Sequence, residues 1–475
     1  MNRFSIILLI GGLFAGALHA QDTLSQYILT PKSGPAPHIN GPKVFGVRPD
    51  HPILFTIPAT GTRPIGFSAD HLPAGVRIDR ESGKISGSLS KPGEYRITLH
   101  AKNKAGQTSR AFKIVVGEDI VLTPPMGWNS WNIYASKVTQ ELMLENAKAM
   151  LSSGLINHGW SYVNIDDVWQ GKRGGKFHAI LPDSATFPDM QALSNEVHGM
   201  GLKIGIYSSP WVETYGHHIG GSAMNPEGIF EPVKEKVPRN KKILPFAIGT
   251  YSFLANDVEQ FASWGIDYLK YDWNPNELPE TKAMYDALRA SGRDIVLSLS
   301  NSTPFATISE LSKVSNAWRT GGDIRDNWKS LKSRLLTQDK WAPYARPGHW
   351  NDPDMMIVGW VGWGKGPRPT NLTADEQYSH MSAWCLMSVP LLLGCDLTKL
   401  DDFTMSLLTN DEVIAVNQDP LGKQATLVSS QDSSGVLAKD MEDGTKAAGL
   451  FNLTDGLTRK ILLKWTDLGI KGRYR

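Results

Sequence analysis

Cysteine is scarce in this chain, which contains only Cys385 and Cys395 among its 475 residues. Two cysteines cannot form the dense disulfide framework that stabilises small secreted domains. Both residues lie within apolar sequence, where a free cysteine packs like a small hydrophobic side chain. We therefore expect two buried free thiols rather than a bridge.

The chain also lacks an excess of either charge and a long apolar run. It has 49 Lys and Arg residues against 47 Asp and Glu residues, a formal net charge of +2. Such a balance creates no field that attracts nucleic acid or an anionic membrane. The apolar runs at residues 6–18 and 389–394 are shorter than the roughly 20 residues of a membrane span. We expect a neutral partner, with no nucleic acid and no membrane insertion; the oligomeric state stays open.

Motifs for metals and phosphates are missing as well. The sequence contains neither HExxH nor CxxC, and its histidines are not paired with acids at ligand spacing. The Gly321-Gly322 pair is too short to form a phosphate loop, and it more simply lets the backbone approach a ligand. We expect no metal and no cofactor.

The N-terminus carries the pattern of a secretory signal. Arg3 supplies the positive charge, residues 6–18 the apolar core, and Ala20 the small residue before a cleavage site. We predict that residues 1–20 are a cleaved signal peptide and that the protein is secreted or periplasmic.

A β-rich segment follows a polar lead-in. Apolar residues alternate through residues 95–101 and 112–116, separated by the turn signal Ala105-Gly106, which predicts a small antiparallel sandwich. The stretches LPAGV (residues 72–76) and SGKISG (residues 82–87) resemble the bacterial "putative Ig" domain. That resemblance implies a spacer or docking role and no chemistry.

From residue 123 onward short strand candidates alternate with helical stretches, the pattern of parallel sheets built from βαβ units. Eight strands suggest a closed TIM barrel. Residues 139–153 and a segment capped by Thr373 have helical spacing, and Asp326 before Trp328 suggests a further helix cap. The strand candidates are residues 126–131, 162–169, 203–208, 268–273, 295–300, 317–323, 349–355 and 389–396.

Two-residue periodicity returns after residue 420 and predicts a C-terminal antiparallel β domain that stops early. The chain is too long for one hydrophobic core and is expected to be multidomain. We expect a linker and Ig-like β-sandwich at residues 21–118, a (β/α)8 catalytic domain at 119–420, and the antiparallel β domain at 421–475.

Acidic residues gather where the predicted barrel strands end. Barrel enzymes place their working residues at these carboxyl ends, and cleavage of a glycosidic bond needs two carboxyl groups. A lone Asp before Pro, such as Asp352, more commonly starts a turn. The strand ends are Asn164-Ile165-Asp166-Asp167, Lys270-Tyr271-Asp272, Arg319-Thr320-Gly321-Gly322-Asp323 and Asn351-Asp352-Pro353-Asp354-Met355.

Six motifs resemble glycoside hydrolase family 27, the α-galactosidases (melibiases) and their relatives. They are TPPMGWNSW (residues 123–131), YVNIDD (162–167), KYD (270–272), WR (318–319), WNDPDM (350–355) and NQDPLGKQ (417–424). The resemblance covers nearly everything after residue 122. It implies a retaining exo-hydrolase that releases terminal α-linked galactose from glycans.

The same resemblance implies a role for each site residue. Asp272 is the nucleophile and Asp323 the acid/base, which must hold a proton. Lys270 lies on the same strand face as Asp272, and its cation is expected to help keep Asp272 ionised. The implied substrate-binding residues are Trp131, Asp166, Asp167, Tyr207, Lys270, Ser300, Arg319 and Asp354, with Asp354 lining or bracing the site.

Two features leave the substrate open. Ser300 and Thr303 stand near the place where typical α-galactosidases carry a Glu that binds the 2-hydroxyl. They leave room for a 2-acetamido group, so α-N-acetylgalactosaminidase is an alternative. The Ig-like module keeps a non-catalytic glycan-binding protein as another. The glycine-rich and lysine-rich segment 211–251 is longer than usual connections and is either functional or loosely ordered.

Overall fold

A computed structural model of the protein describes residues 24–232 and 242–471. The predicted signal peptide and most of the basic segment near residues 234–242 lie outside the described residues. Within them, no helix is long and apolar enough to cross a bilayer. The described chain forms a β-sandwich, a parallel barrel and a small antiparallel sheet, in that order.

The N-terminal sandwich confirms the predicted Ig-like unit. A four-stranded sheet faces a three-stranded sheet across an apolar core that includes Phe67, Ile85 and Phe112. The order of the first sheet is β2 (Val44–Val47), β9 (Gly106–Val116), β8 (Gly93–Asn103) and β5 (Gly66–Asp70), and that of the second is β3 (Ile53–Thr56), β7 (Lys84–Gly87) and β6 (Val76–Ile78). The long hairpin β8–β9 turns at Asn103 and Gly106, as the turn signal predicted. The strands are β1 His38–Ile39, β2 Val44–Val47, β3 Ile53–Thr56, β4 Ala59–Thr60, β5 Gly66–Asp70, β6 Val76–Ile78, β7 Lys84–Gly87, β8 Gly93–Asn103 and β9 Gly106–Val116.

All eight predicted barrel strands are present and pair in parallel around one circle. A parallel bridge between Met356 and Leu393 joins the last strand to the seventh and closes the barrel. These strands are largely buried, as expected of parallel strands that helices cover. The barrel strands are β10 Met126–Asn129, β11 Tyr162–Asn164, β14 Lys203–Ser208, β17 Tyr268–Asp272, β18 Val296–Ser300, β19 Ala317–Arg319, β20 Trp350–Asp352 and β23 Leu391–Leu393.

Short strand pairs decorate the loops, and three strands form the C-terminal sheet, which packs on the barrel through Leu437 and Phe451. Cys385 and Cys395 are free and buried, as predicted. The loop strands are β12 Gln170–Gly174, β13 Ala179–Pro182, β15 Ser222–Ala223, β16 Tyr251–Ser252, β21 Trp360–Val361 and β22 Arg368–Pro369, and the C-terminal strands are β24 Thr426–Gln431, β25 Ser434–Asp440 and β26 Lys446–Asn452.

The helices begin at polar caps. Thr139 accepts from the N–H of Leu142, and Thr373 forms a complete capping box with Glu376, as predicted. The expected cap at Asp326 is wrong, because the adjacent Asn327 caps that helix while Asp326 binds Arg368 instead. The helices are α1 Trp131–Tyr134, α2 Gln140–Ser152, α3 Met190–Gly199, α4 Leu254–Trp264, α5 Leu278–Ala290, α6 Ile308–Leu311, α7 Trp328–Leu335, α8 Ala374–Met387, α9 Asp402–Leu408 and α10 Asp411–Asn417.

The sandwich is fixed to the amino-terminal end of the barrel. Arg48 pairs with Asp294 at 2.7 Å and donates to the carbonyls of Arg289 and Arg293, both at 2.7 Å. A cavity of about 110 Å³ lies in this seam and is lined in part by Phe45 and Lys203. The seam is at the opposite end of the barrel from the carboxylates described next, so this recess is structural.

Candidate functional site

The carboxyl ends of the barrel strands bring most of the predicted residues into one mouth. Lys270 and Asp272 lie on the same face of β17, and Ser300 pairs beside Asp272 at the end of β18. Arg319 ends β19, and Asp166 lies two residues beyond β11. All five are largely buried, so the ionised groups among them depend on one another for stabilisation.

Lys270 links two sides of this mouth. Its Nζ donates to Asp166 Oδ2 at 2.7 Å and stands 5.6 Å from the ring centroid of Tyr207. Burial opposes its charge, but the carboxylates of Asp166 and Asp272 outweigh burial and raise the pKa of Lys270. Lys270 is therefore a fixed cation at the centre of an acidic pocket.

The pKa of Asp272 is set by burial more than by the cation of Lys270. Burial raises the pKa of its carboxyl to about 7, and the attraction of Lys270 offsets only part of that rise. The negative charges of Asp323 and Asp166 add to it. One hydrogen bond favours the ionised form, from Asn301 Nδ2 to Asp272 Oδ1 at 3.2 Å. Lys270 thus acts in the expected direction, but desolvation is the larger effect.

Asp323 is the open member of the pair, with 70% of its side chain exposed. Partial burial raises the pKa of Asp323, but the attraction of Arg319 and Lys270 lowers it by more, so the net pKa lies below the ordinary value. Arg319 contacts it at 3.2 Å. Cations thus face Asp323, whereas burial favours the protonated form of Asp272, and the assignment of the catalytic proton to Asp323 stays a prediction.

Arg319 is held by a second carboxylate. Its guanidinium pairs with Asp354 at 2.8 Å, and Asp354 also accepts from the N–H of Ile324 at 2.6 Å. Burial raises the pKa of Asp354 to about 6 against the attraction of Arg319. Asp352 accepts from the N–H of Asp354 at 2.9 Å, which confirms its reading as a turn residue. Asp354 thus braces Arg319 and the loop carrying Asp323.

Asp167 faces its own loop rather than an open pocket. Its Oδ1 accepts from the N–H of Val168 at 2.8 Å and from Gln170 Nε2 at 3.1 Å. Its Oδ2 accepts from the N–H of Gly216 at 2.7 Å, within segment 211–251. The described part of that segment is anchored to the site through this contact and is packed by the rings of Trp211, Tyr215 and Phe246.

The remaining predicted residues line the mouth. Trp131 begins α1, and its N–H donates to Asn129 at 2.9 Å. The hydroxyl of Tyr207 is buried and has no hydrogen-bond partner among the described residues. The carbonyl of Ser300 accepts from Asn276 Nδ2 at 3.0 Å, and Asn276 Oδ1 accepts from the hydroxyl of Thr303 at 2.8 Å. These contacts fix the backbone behind Asp272.

Two residues at the site were not selected from sequence. Asn301 has a positive φ of 71°, and its side chain binds Asp272. The signal that the sequence offered for this residue was its place directly after a predicted strand. Arg334 lies on α7 and donates to the carbonyl of Gly322 at 2.8 Å. A Cβ on Gly321 would stand 2.5 Å from its guanidinium, so a side chain at this position would displace Arg334 from the turn. No sequence motif links Arg334 to this turn.

The family described as Alpha galactosidase A matches residues 123–225 and 240–419, more than half of the chain. The chain belongs to this family. The "Putative Ig domain" family matches residues 36–117, the sandwich.

Relatives of the family match over most of their length. Alpha-galactosidase 2 of Arabidopsis thaliana is 37% identical over 363 residues, covering 75% of this chain and 82% of the relative. A solved "putative alpha-galactosidase" from Bacteroides fragilis is 34% identical, with a TM-score of 0.78, covering 90% and 88% of the two chains. The Saccharomyces cerevisiae α-galactosidase solved with raffinose is 26% identical, with a TM-score of 0.57 over 70% and 74%.

Proposed function

We propose that the protein is an α-galactosidase that releases terminal α-linked galactose from oligosaccharides or polysaccharides with retention of configuration. The family membership and the relatives that carry this name support the reaction. The raffinose complex of the yeast protein supports a galactoside as substrate. The relatives favour this reaction over the two alternatives drawn from sequence.

One observation carries the mechanism: Asp272 ends β17 and Asp323 contacts Arg319 at the end of β19, so both carboxyl groups lie at the same mouth of the barrel. Lys270 and Arg319 act on both carboxyl groups. A retaining glycosidase needs two such carboxyl groups sharing one proton. The reactive form has Asp272 ionised and Asp323 protonated, whereas in the free pocket burial raises the pKa of Asp272 and the nearby cations lower that of Asp323.

The proposed reaction has two displacements. An Asp272 oxygen attacks the anomeric carbon and forms an ester, while Asp323 gives its proton to the leaving oxygen as the glycosidic bond breaks. Water then attacks the same carbon and gives a proton back to Asp323, and the ester bond to Asp272 breaks. Two inversions leave the anomeric configuration unchanged.

We assign recognition of galactose to the residues around this pair. The linked Lys270 and Asp166 offer a donor and acceptors for neighbouring hydroxyls, including the axial 4-hydroxyl. Arg319 faces the ring from the Asp323 side, and Trp131 and Tyr207 form walls. Because both oxygens of Asp167 already accept protein donors, we assign it chiefly to positioning, and Ser300 to the wall near the 2-substituent.

The test uses aryl α-galactoside and aryl α-N-acetylgalactosaminide side by side, with the first product anomer followed by NMR. We expect turnover of the galactoside, α-galactose as first product, and loss of activity in Asp272→Ala. The exposed turn variant Asp443→Asn is the matched control and keeps wild-type rates. Preference for the acetamido sugar, or saturable binding without turnover, would overturn the proposal.

We further propose export with removal of residues 1–20, which rests on the charge and apolar pattern of that segment. Amino-terminal sequencing of protein from the producing cells tests this, with a start near Gln21 expected and an intact Met1 contradicting it.

A further inference from the structure

A hairpin follows the seventh barrel strand and stands beside the mouth. Its strands, β21 and β22, pair Trp360 with Pro369 and Val361 with Arg368. The tip borders an open recess of about 640 Å³. The lining residues are Gly362, Trp363, Lys365, Gly366, Pro367 and Arg368.

One side of the hairpin is fixed to the wall of the sugar pocket. The N–H groups of Gly362 and Trp363 both donate to the carbonyl of Asn132 at 2.9 Å, and the N–H of Gly364 donates to Ile133 at 3.0 Å. These acceptors belong to α1, directly after Trp131. The recess is therefore adjacent to the residue proposed to form one wall of the galactose site.

The other side is fixed to the loop of the acid/base. Arg368 pairs with Asp326 at 2.6 Å, and the Asp326 carboxylate also accepts from Thr370 Oγ1 at 2.5 Å and from the N–H of Asn371. Asp326 lies three residues after Asp323. The hairpin thus contacts the helix that begins at Trp131 on one side and the loop that carries Asp323 on the other.

From this position we propose that the hairpin is the leaving-group subsite and binds the neutral saccharide to which galactose is attached. The inference rests on the proposed function, because the general acid must face the leaving group. Trp363 packs one side on the barrel core and stays partly exposed, so it is a rigid apolar platform for a pyranose ring. Exposed Lys365 supplies a hydrogen-bond donor beside it. The charge of Arg368 is offset by Asp326, which favours a neutral ligand over an anion.

The experiment compares two substrates that share galactose. Raffinose has a sucrose leaving group that reaches the hairpin, whereas the fluoride of α-galactosyl fluoride is too small to reach it. We expect Trp363→Ala to lower kcat/KM for raffinose about tenfold and for the fluoride less than about twofold. Trp363→Phe should restore most of the loss, and Lys365→Met should lower only the raffinose value, by about threefold.

Trp465→Ala is the matched control, because Trp465 is 70% exposed and lies in the C-terminal region. Equal losses on both substrates, or no loss on either, overturn the subsite. If Trp363→Ala does not fold, Trp363→Phe and Lys365→Met decide, and an unchanged substrate ratio in Lys365→Met contradicts the inference. Wild-type protein that hydrolyses neither substrate contradicts the proposed function instead, so the two failures are distinguishable.

Discussion

Asn301 provides a sensitive probe of the catalytic pair. It is the described residue whose side chain donates to Asp272, and it holds a positive φ of 71° that Asn tolerates. Asn301→Gly removes the amide while keeping this backbone conformation accessible. Ser302 has a similar φ of 57° and, within the described residues, no hydrogen bond to Asp272, so Ser302→Gly is the matched control.

The size of the effect follows from the hydrogen bond. Bonds to charged groups contribute about 1.5–3 kcal/mol, and the 3.2 Å contact places this one at or just below the low end. A loss of about 1.4 kcal/mol raises the pKa of Asp272 by about one unit. The reactive form, with Asp272 ionised and Asp323 protonated, then becomes about tenfold rarer. The plateau of kcat/KM should fall about tenfold as a result.

The sign of the pH dependence is fixed by the same shift. The pair carries one proton between the lowered pKa of Asp323 and the value of about 7 for Asp272, and kcat/KM is highest in that window. Above it the last proton is lost. Asn301→Gly should therefore move the alkaline limb up by about one unit while lowering the plateau. A lowered plateau with an unmoved limb would refute the role assigned to this bond.

Three further predictions concern other parts of the molecule. Arg334 lowers the pKa of Asp323, so Arg334→Met should move the acid limb of kcat/KM to higher pH; an unmoved limb contradicts this electrostatic role. Arg48→Met should lower the free energy of unfolding by about 3 kcal/mol with kcat unchanged, because it leaves Asp294 in the seam without its guanidinium; unchanged thermal unfolding contradicts this. Burial raises the pKa of Cys395 to about 12 and that of Cys385 still further, so a thiol reagent should label neither in the native protein and both in urea.

The seam also sets the pH range of stability. The pKa of Asp294 lies below its ordinary value because His51 and Arg48 outweigh its burial. A carboxyl with a lowered folded-state pKa stabilises the fold above its unfolded pKa of about 3.9, and this contribution is lost as pH falls through the folded value. The contribution of Asp294 to the seam should therefore be lost in acid.

Most of the fold could be predicted from the sequence because each barrel strand is a short buried run with polar residues after it. The ends of the strands could be predicted less well. Residues 165–169 were predicted to continue β11, but the chain turns after Asn164 so that Asp166 and Asp167 can bind Lys270 and Gly216. The cap at Asn327 was missed for a similar reason, since Asp326 is engaged by the distant Arg368.

The candidate site could also be predicted only in part. Asp272 and Lys270 could be placed on one strand face from their spacing alone. Their protonation could not be predicted, because it depends on how deeply the barrel buries Asp272 and on the cations that reach Asp323 from other elements. The contact of Asn301 with Asp272 depends on a backbone conformation with positive φ, which a side-chain pattern does not encode.

The central claim is that Asp272 forms a covalent bond to galactose. It is tested most directly by incubating the protein with a fluorinated α-galactosyl substrate whose second displacement is slow, followed by mass analysis of peptides. The account predicts one galactosyl ester, on the peptide that contains Asp272, and none in Asp272→Asn. A label on Asp323, or inverted product without any label, would contradict it.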